Sequence, residues 1–499
     1  MDSRPVSPSL IEKYSLLFGV VLFLVLLATD PFGVGPTAGK VVAVAALMIA
    51  WWVTEAIPMP AVALLPLVLF PLLGIATVKE VAAGYGDSVI FLFMGGFLIG
   101  LAIEKWHLHK RIALSIVNIT GTSGDRIVLG FILATGGISM WLSNTATTMM
   151  MYPIAASVIH VVKENHKGSG NVGNFALAIM LSIAYASNFG GIATIIGTPP
   201  NVAFVGFIQE KYGYTIQFAD WAIICLPVSL LLLVFLYLVT TKWLFRNRIA
   251  SDQATRGVIR QELLALGPLS AAEKRVAFIF GTTAFLWITK DLINWGLEQE
   301  NMVNLIGKLK LDDTMIAMLG GVSLFLTTSG TKQSGGSRRL LEWSDTSRMA
   351  WGILLLFGGG IALATSLEKA GLIQKMGQWI ASFSGSGGFI LVFMVTLASL
   401  FISEVMSNIA QVIVFSPVIA GIADAMGINP LLLGIPMTLG ASCASMMPMG
   451  TPPNAIVFAS GHIQLRDMVK AGFVMNVIAV VLISLFSWFV IPLLVPALK

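Results

Sequence analysis

Cysteine is nearly absent from this chain. Cys225 and Cys443 are its only two, both inside apolar runs, which excludes a disulfide framework. The close histidine pair in His107-Leu108-His109 lies in the basic run Lys105 to Arg111 with no cysteine or third histidine beside it. Ligand count therefore favours a solvated loop over a metal centre. Charge is scarce as well: Asp, Glu, Lys and Arg make up 11% of 499 residues while hydrophobic residues reach 56%, which excludes a soluble globule. Gly95-Gly96 and Gly358-Gly359-Gly360 lack the strand context of a nucleotide fingerprint and suit close helix approach instead. The formal +5 charge belongs to loops and gives nucleic-acid binding no support. An intramembrane enzyme would need a nucleophile with its base, or a metal cluster, and neither is present.

What the chain does contain is one apolar run after another. Runs long enough to cross ~30 Å of hydrocarbon begin near Leu16, Val41, Ala61, Val89, Phe175, Trp221, Val276, Thr314, Trp351, Pro430 and Val469, predicting an all-α polytopic membrane protein of about eleven transmembrane helices. The first run, Leu16 to Ala28, has no cleavage pattern and continues through Asp30-Pro31 into another span, so it reads as a retained helix. Two further stretches, 127–162 and 389–422, are broken midway by a Ser-Asn step and read as re-entrant helical hairpins, since the break puts polar side chains at depth. With the N-terminus cytoplasmic, this arrangement places Arg4, Arg111, Arg126, Arg246, Arg248, Arg256, Arg260, Arg275, Arg338, Arg339, Arg348 and Arg466 inside and the C-terminus outside. The sequon Asn118-Ile119-Thr120 also falls inside, which points to a bacterial inner membrane.

A Pro-Pro turn occurs twice, each time behind a Ser-Asn step. Gly197-Thr198-Pro199-Pro200-Asn201 recurs as Gly450-Thr451-Pro452-Pro453-Asn454, and Ser143-Asn144-Thr145 as Ser407-Asn408-Ile409. Phe93 to Phe97 aligns with Phe357 to Ile361, Glu104-Lys105 with Glu368-Lys369, and Pro153 with Pro417. The spacing shrinks only where the first half carries a polar insert, Lys163 to Asn174. The chain thus divides into an N-terminal helix (1–38), a first repeat (39–241), a cytoplasmic linker (242–275) and a second repeat (276–499). Each repeat holds five crossings, an odd number, so the second enters from the opposite face as an inverted repeat. Each also brings one hairpin and one broken helix, 175–209 and 430–459, and matched interruptions in two apolar halves point to a midplane transport site.

Ser, Asn and Thr are preferred N-caps, and a helix starting at Ser-Asn-Thr aims its free amides and positive dipole end at the break. That makes an anion site without a basic side chain. In Gly-Thr-Pro-Pro-Asn, Gly ends one helix, Thr caps the next and Pro suits its first turn. The carbonyls freed there suit a hard cation such as Na⁺. Each half can supply one cation site, and the two can share an anion site. The competing reading, that these small polar residues only aid helix packing, explains one Ser-Asn step but not two steps and two turns in register. Glu55 lies near a span end and reads as neutral or bonded to a helix end. Glu404 is either bonded in that way or a proton or cation partner.

The hairpin tips, the two Gly-Thr-Pro-Pro turns and the segment Trp51-Trp52-Val53-Thr54-Glu55-Ala56-Ile57-Pro58 resemble the divalent anion/sodium symporters, the family of bacterial succinate carriers and of animal di- and tricarboxylate and sulfate cotransporters. The resemblance runs from about Leu16 to the end. It implies a homodimer, with a scaffold domain and a transport domain each drawn from both repeats, working by an elevator mechanism. It implies a first sodium site at Ser139, Ser143, Asn144 and the Gly197 carbonyl, and a second at Ser403, the Met406 carbonyl, Asn408 and the Gly450 carbonyl. Substrate carboxylates would meet Ser143, Asn144, Thr145, Ser407, Asn408 and Ile409, with Thr198-Pro199 and Thr451-Pro452 shaping the walls. The second tip, Met406-Ser407-Asn408-Ile409-Ala410-Gln411, departs from the family's Thr-Ser-Asn-Thr or Thr-Ser-Asn-Val followed by Ala-Thr. Ile409 removes a hydroxyl donor, and a missing donor changes selectivity strongly. Ile409 and Gln411 are therefore expected to set substrate choice.

A dianion in a low-dielectric core needs compensating charge, and bound sodium ions would bring it. The expectation is sodium-coupled secondary transport of a C4-dicarboxylate such as succinate, malate or fumarate, with Na⁺ as coupling ion, no cofactor, and lipid as the surrounding partner. A sodium-independent dicarboxylate exchanger and a citrate or sulfate carrier on the same fold stay open, with an intramembrane enzyme as a remote alternative.

Overall fold

A chain in hydrocarbon must satisfy its own backbone, and a helix does so within one segment. The computed structural model describes residues 10–29, 35–121, 123–165, 172–247, 249, 253–297, 310–333, 336–373, 375 and 388–494. Arg4, Arg248, Asp30-Pro31 and the centre of the polar insert (166–171) lie outside the described residues.

Twelve helices precede the middle of the chain: α1 (Leu10–Thr29), α2 (Pro36–Thr54), α3 (Met59–Val62), α4 (Leu65–Leu72), α5 (Val78–Tyr85), α6 (Ser88–Lys105), α7 (Leu108–Thr120), α8 (Gly124–Ser139), α9 (Asn144–Asn165), α10 (Val172–Gly191), α11 (Pro199–Tyr212) and α12 (Phe218–Tyr237). A π-helical segment, Leu238–Leu244, leads to α13 (Gln253–Ala265), so the stretch expected as a linker is partly helical. There follow α14 (Ala271–Leu297), α15 (Asp313–Leu326), strands β1 (Thr328–Gln333) and β2 (Gly336–Arg339), then α16 (Trp351–Lys369), α17 (Phe389–Ile402), α18 (Asn408–Met426), α19 (Pro430–Ser442), α20 (Pro452–Phe458), α21 (Leu465–Phe489) and α22 (Ile491–Leu494).

Two points differ from the sequence expectation. By length and composition, nine helices among the described residues can cross a membrane, against the eleven expected. Seven begin where predicted, and two are the second hairpin arms, α9 and α18. The runs near Leu16, Ala61, Thr314 and Pro430 form shorter apolar helices. In the Ala61 run the cause is proline: a helix continued through Pro66 would set its ring against the Val62 carbonyl, so α3 ends at Val62 and Pro66 falls in the first turn of α4, where proline is tolerated. The second difference is the antiparallel β1–β2 ribbon, which the all-α reading missed. Its polar sequence, rich in Gly, Ser and Thr, lacks the apolar alternation by which strands are recognised. Arg275 anchors it by donating to the Thr328 carbonyl (2.5 Å) and hydroxyl (2.8 Å).

Glycine sets the closest helix contacts. A Cβ on Gly95 would lie 2.4 Å from the Ala317 backbone, and one on Gly359 would lie 2.3 Å from the Ala63 carbonyl oxygen. The two aligned glycine motifs therefore do the same packing job, bringing α6 against α15 and α16 against α3. Ion pairs then fasten the helix ends. Lys105 meets Asp345 at 2.6 Å, and Arg111 meets Glu273 at 2.6 Å while also donating to the Gly267 carbonyl at 3.0 Å. Elsewhere Lys290 meets Asp313 at 2.7 Å, and Asp424 on α18 receives both Lys211 (2.5 Å) and the Tyr212 hydroxyl (2.8 Å) from the end of α11.

The Lys105–Asp345 pair is nearly buried, at 8% and 10% side-chain exposure, and without Lys105 the Asp345 carboxylate keeps only the Glu342 amide at 2.8 Å and the more exposed Arg348 at 3.6 Å. Lys105→Met is expected to destabilise the protein by about 3 kcal/mol, read as a lower thermal midpoint in detergent, with recovery when Asp345→Leu is added. Burial raises the Asp345 carboxyl, but the Lys105 ammonium and the Glu342 amide more than offset this and leave it below its usual range. A lowered carboxylate stabilises fully above its unfolded value of about 3.9. This contribution should fade as pH falls from there through the lowered value, and the Lys105→Met variant should lose that part of the acid dependence.

Candidate functional site

Both hairpin tips and both Pro-Pro turns open onto one cavity of about 750 Å³. The first tip presents Ser143, Asn144 and Thr145, and the second Met406, Ser407, Asn408 and Ile409. The turns contribute Thr198 and Pro199 from one half and Gly450, Thr451 and Pro452 from the other. The opposite wall comes from the end of α2, with Thr54 and Glu55, and from Ala350 and Ile353 at the start of α16. No basic side chain lines this space among the described residues.

Ser139 and Ser403 are fully buried behind the tips and do not line the cavity. Each completes a cluster of three oxygens. Ser139 Oγ lies 2.7 Å from Asn144 Oδ1 and 2.8 Å from the Ser187 carbonyl. Ser403 Oγ lies 2.6 Å from Asn408 Oδ1 and against the Ala441 carbonyl. In either cluster the one serine hydroxyl hydrogen is shared between two acceptor oxygens. Hydroxyl, amide and carbonyl oxygens converging with so few hydrogens form a donor set suited to a hard cation. Gly197 stands one layer back: its Cβ would lie 2.4 Å from the Gly191 carbonyl oxygen, and a Cβ on Gly191 would lie 2.3 Å from Asn144 Oδ1. Only glycine allows that approach.

The description "sodium:sulfate symporter transmembrane region" matches residues 10–495. The chain belongs to that family. It is 37% identical over 487 residues to the sodium-dependent dicarboxylate transporter SdcS of Staphylococcus saprophyticus, covering 96% of this chain and 92% of the relative. The Staphylococcus aureus protein of the same name is also 37% identical, over 486 residues, covering 97% and 92%. Among solved structures, Neisseria gonorrhoeae MtrF, assigned to a class of antimetabolite efflux pumps, superposes with TM-score 0.58 at 12% identity, covering 97% of this chain and 96% of that one. The Alcanivorax borkumensis YdaH transporter superposes with TM-score 0.56 at 14% identity, covering 84% and 88%. At such identities the last two bear on fold alone: a polytopic bundle of membrane helices.

Within this symporter-family chain the four helix starts at the cavity are not equivalent. Ser143 Oγ accepts from the Ala146 amide at 3.2 Å, and Thr451 Oγ1 from the Asn454 amide at 3.4 Å. Ser407 and Thr198 occupy the same N-cap positions, yet their side chains cap nothing. At α18 the Asn408, Ile409 and Ala410 amides therefore have no side-chain acceptor, which leaves that positive helix end available to an anion. By contrast, α11 opens with Pro199 and Pro200, which carry no N–H, and its Asn201 amide donates to the Thr198 carbonyl at 3.2 Å. The fifth residue of each turn motif, to which sequence reasoning gave no role, stitches the unwound backbone. Asn201 Nδ2 donates to the Gly191, Ile192 and Thr194 carbonyls at 2.8–3.4 Å, and Asn454 Nδ2 to Ala444 and Met447 at 3.3 and 3.1 Å.

For Glu404 the structure selects the bonded alternative. Its buried carboxylate accepts from the Ser445, Met446 and Met447 amides, each at 2.9 Å, and from Asn476 Nδ2 at 2.6 Å. Met140 occupies the matching place in the first half, and there its carbonyl accepts from the Thr194 hydroxyl instead. Glu55 is bonded to no helix end. It is exposed at the cavity wall in the left-handed region (φ 49) and is the one ionisable side chain lining the space among the described residues. Gln411 corrects the sequence expectation: it is fully buried, its Nε2 donates to Ser399 O and Oγ at 2.7 Å, and it does not reach the cavity. One helical turn past Asn408, its side chain points back onto α17, so of Ile409 and Gln411 only Ile409 stands at the cavity wall. Asn188, on α10, also lines the cavity, and no motif flagged it.

Glu404→Ala would strand three backbone amides at roughly 1–3 kcal/mol each. The expected outcome is loss of the monodisperse peak in size-exclusion chromatography. Glu404→Gln, which keeps one acceptor oxygen, should be intermediate.

Proposed function

We propose that this protein carries C4-dicarboxylates such as succinate, malate or fumarate across the membrane by sodium-coupled secondary transport. The observation that carries the proposal is the pairing of two Ser–Asn–carbonyl oxygen clusters with a single cavity that has an open helix N-terminus, that of α18, and no basic side chain. The two staphylococcal relatives, sodium-dependent dicarboxylate transporters by name, support the same cargo.

Two sodium ions and a dianion sum to zero charge, which removes most of the cost of carrying the carboxylates through a low-dielectric core. The first ion is assigned to Ser139, Ser143, Asn144 and the Gly197 carbonyl, the second to Ser403, Asn408 and the Met406 and Gly450 carbonyls. The carboxylates are assigned to the open amides of α18, with Thr145, Ser407 and Thr451 as hydroxyl partners and Ile409, Pro199 and Pro452 as apolar walls. Sodium on Asn144 and Asn408 holds the tips in the shape that receives substrate, so the ions bind first. The matched interruptions support two inverted repeats whose hairpins and broken helices travel together as a transport domain against a scaffold, in elevator fashion. A homodimer, a bacterial inner membrane and a cytoplasmic N-terminus belong to the same reading.

Reconstituted protein should accumulate labelled succinate only when an inward sodium gradient is imposed, and uptake that ignores sodium would favour exchange instead. Asn144→Ala and Asn408→Ala should each lower that uptake by at least 100-fold while the protein still elutes as folded. Sodium-driven uptake retained in both variants would refute the site assignment. Ile409→Thr restores a hydroxyl to the cavity wall and should change the succinate-to-citrate preference by about tenfold, some 1.4 kcal/mol, with little change in half-saturating sodium. A change confined to sodium affinity would mean that residue 409 faces an ion rather than the cargo.

A further inference from the structure

Asn188 sits three residues before the end of α10 and is 1% exposed. Its Oδ1 accepts from Asn144 Nδ2 at 3.4 Å, and its Nδ2 donates to Thr451 Oγ1 at 3.1 Å. Behind Asn144 stands the first oxygen cluster, with Ser139 Oγ at 2.7 Å from Asn144 Oδ1. Beyond Thr451 stands the second Pro-Pro turn, whose Asn454 amide donates to the same Oγ1 at 3.4 Å. One line of side-chain hydrogen bonds thus joins the cation cluster of one half to the cargo-facing turn of the other.

A cation at the first cluster turns Asn144 Oδ1 towards itself and so sets the direction of these bonds: the Asn144 amino group faces Asn188 Oδ1, and the Asn188 amino group in turn faces Thr451. Reversing either amide alone would set acceptor against acceptor or donor against donor. With both lone pairs of Thr451 Oγ1 engaged, only its hydroxyl hydrogen remains, and Thr451 lines the cavity. It is therefore held as a donor, the role a carboxylate needs. The second half has no such line: the matching positions on α19 are Ala441, which has no polar side-chain atom, and Ser442, whose buried hydroxyl has no partner.

We propose that Asn188 is a positioning residue that couples the first sodium site to the substrate site by presenting the Thr451 hydroxyl as a hydrogen-bond donor. A cation on Asn144 Oδ1 withdraws electron density from that amide and strengthens its N–H as a donor. The polarisation passes through Asn188 to Thr451, since bonds in a chain reinforce one another in a low-dielectric interior. Coupling by this route is one-sided: the first ion acts on substrate through Asn188, whereas the second ion has no equivalent path. The inference rests on the functional reading above and adds a route of coupling to it.

The test uses full-length protein and succinate as the probe, with affinity measured by calorimetry across a sodium series for the wild type, Asn188→Ala, Thr451→Val and the double variant. Each single change should weaken succinate binding at saturating sodium by about tenfold, and the double should be no weaker than either. Sodium binding without succinate, followed as the sodium-dependent rise in thermal midpoint, should stay within twofold of wild type in all three. Additive losses in the double variant, or a loss of sodium binding with succinate affinity intact, would overturn the relay. Should Asn188→Ala fail to fold, Asn188→Ser takes its place in the cycle, and Thr451→Val alone must still lower the factor by which sodium tightens succinate. A wild-type protein that binds no succinate at any sodium concentration would overturn the functional reading itself. Normal wild-type binding with additive variants overturns the relay alone.

Discussion

Breaking a helix inside an apolar bundle releases amides and carbonyls that lipid cannot satisfy, and four such breaks meet at one cavity here. The rest of the structure depends on how those groups find partners. Asn201 and Asn454 take the carbonyls of the unwound stretches, Glu404 takes three amides of the second, and Ser143 and Thr451 cap two of the four new helix starts. What these residues leave over is a small set of oxygens on one side and the open end of α18 on the other. The site is the remainder after the backbone has been satisfied.

Duplication made the two halves alike and partnering made them differ. Ser139 and Ser403 hold Asn144 and Asn408 in nearly the same way, so the oxygen clusters repeat. The supports behind them do not. A threonine hydroxyl bonded to the Met140 carbonyl steadies one unwound loop, whereas a carboxylate with four donors steadies the other. The second cluster therefore lies beside a buried acidic group and the first does not. A dianion held between them, as proposed, would meet two unequal neighbours.

The helices that carry the breaks keep their positions through glycine and paired charge. Gly95 and Gly359 let backbones touch, and Lys105–Asp345, Arg111–Glu273 and Lys211–Asp424 fasten helix ends far apart in sequence. Helix-to-helix attraction in lipid comes from close packing and polar bonds rather than from water exclusion. Such contacts at the rim can hold the bundle while the cavity stays polar.

Much of this was legible in the residues. Apolar runs, the doubled turn and the doubled Ser-Asn step fix the helices, the breaks and the chemistry, because backbone satisfaction and N-capping are local and leave a mark at short range. The Gly-Thr-Pro-Pro-Asn motif marks its helix break whatever surrounds it. Tertiary structure alone decided which of those groups remain free. Gln411 turning away from the cavity, Glu404 closing on an unwound loop and Asn188 reaching Thr451 all depend on partners 12 to 263 residues away. A hydrogen bond of that span leaves no period or spacing in the sequence, so only the packed fold could assign it.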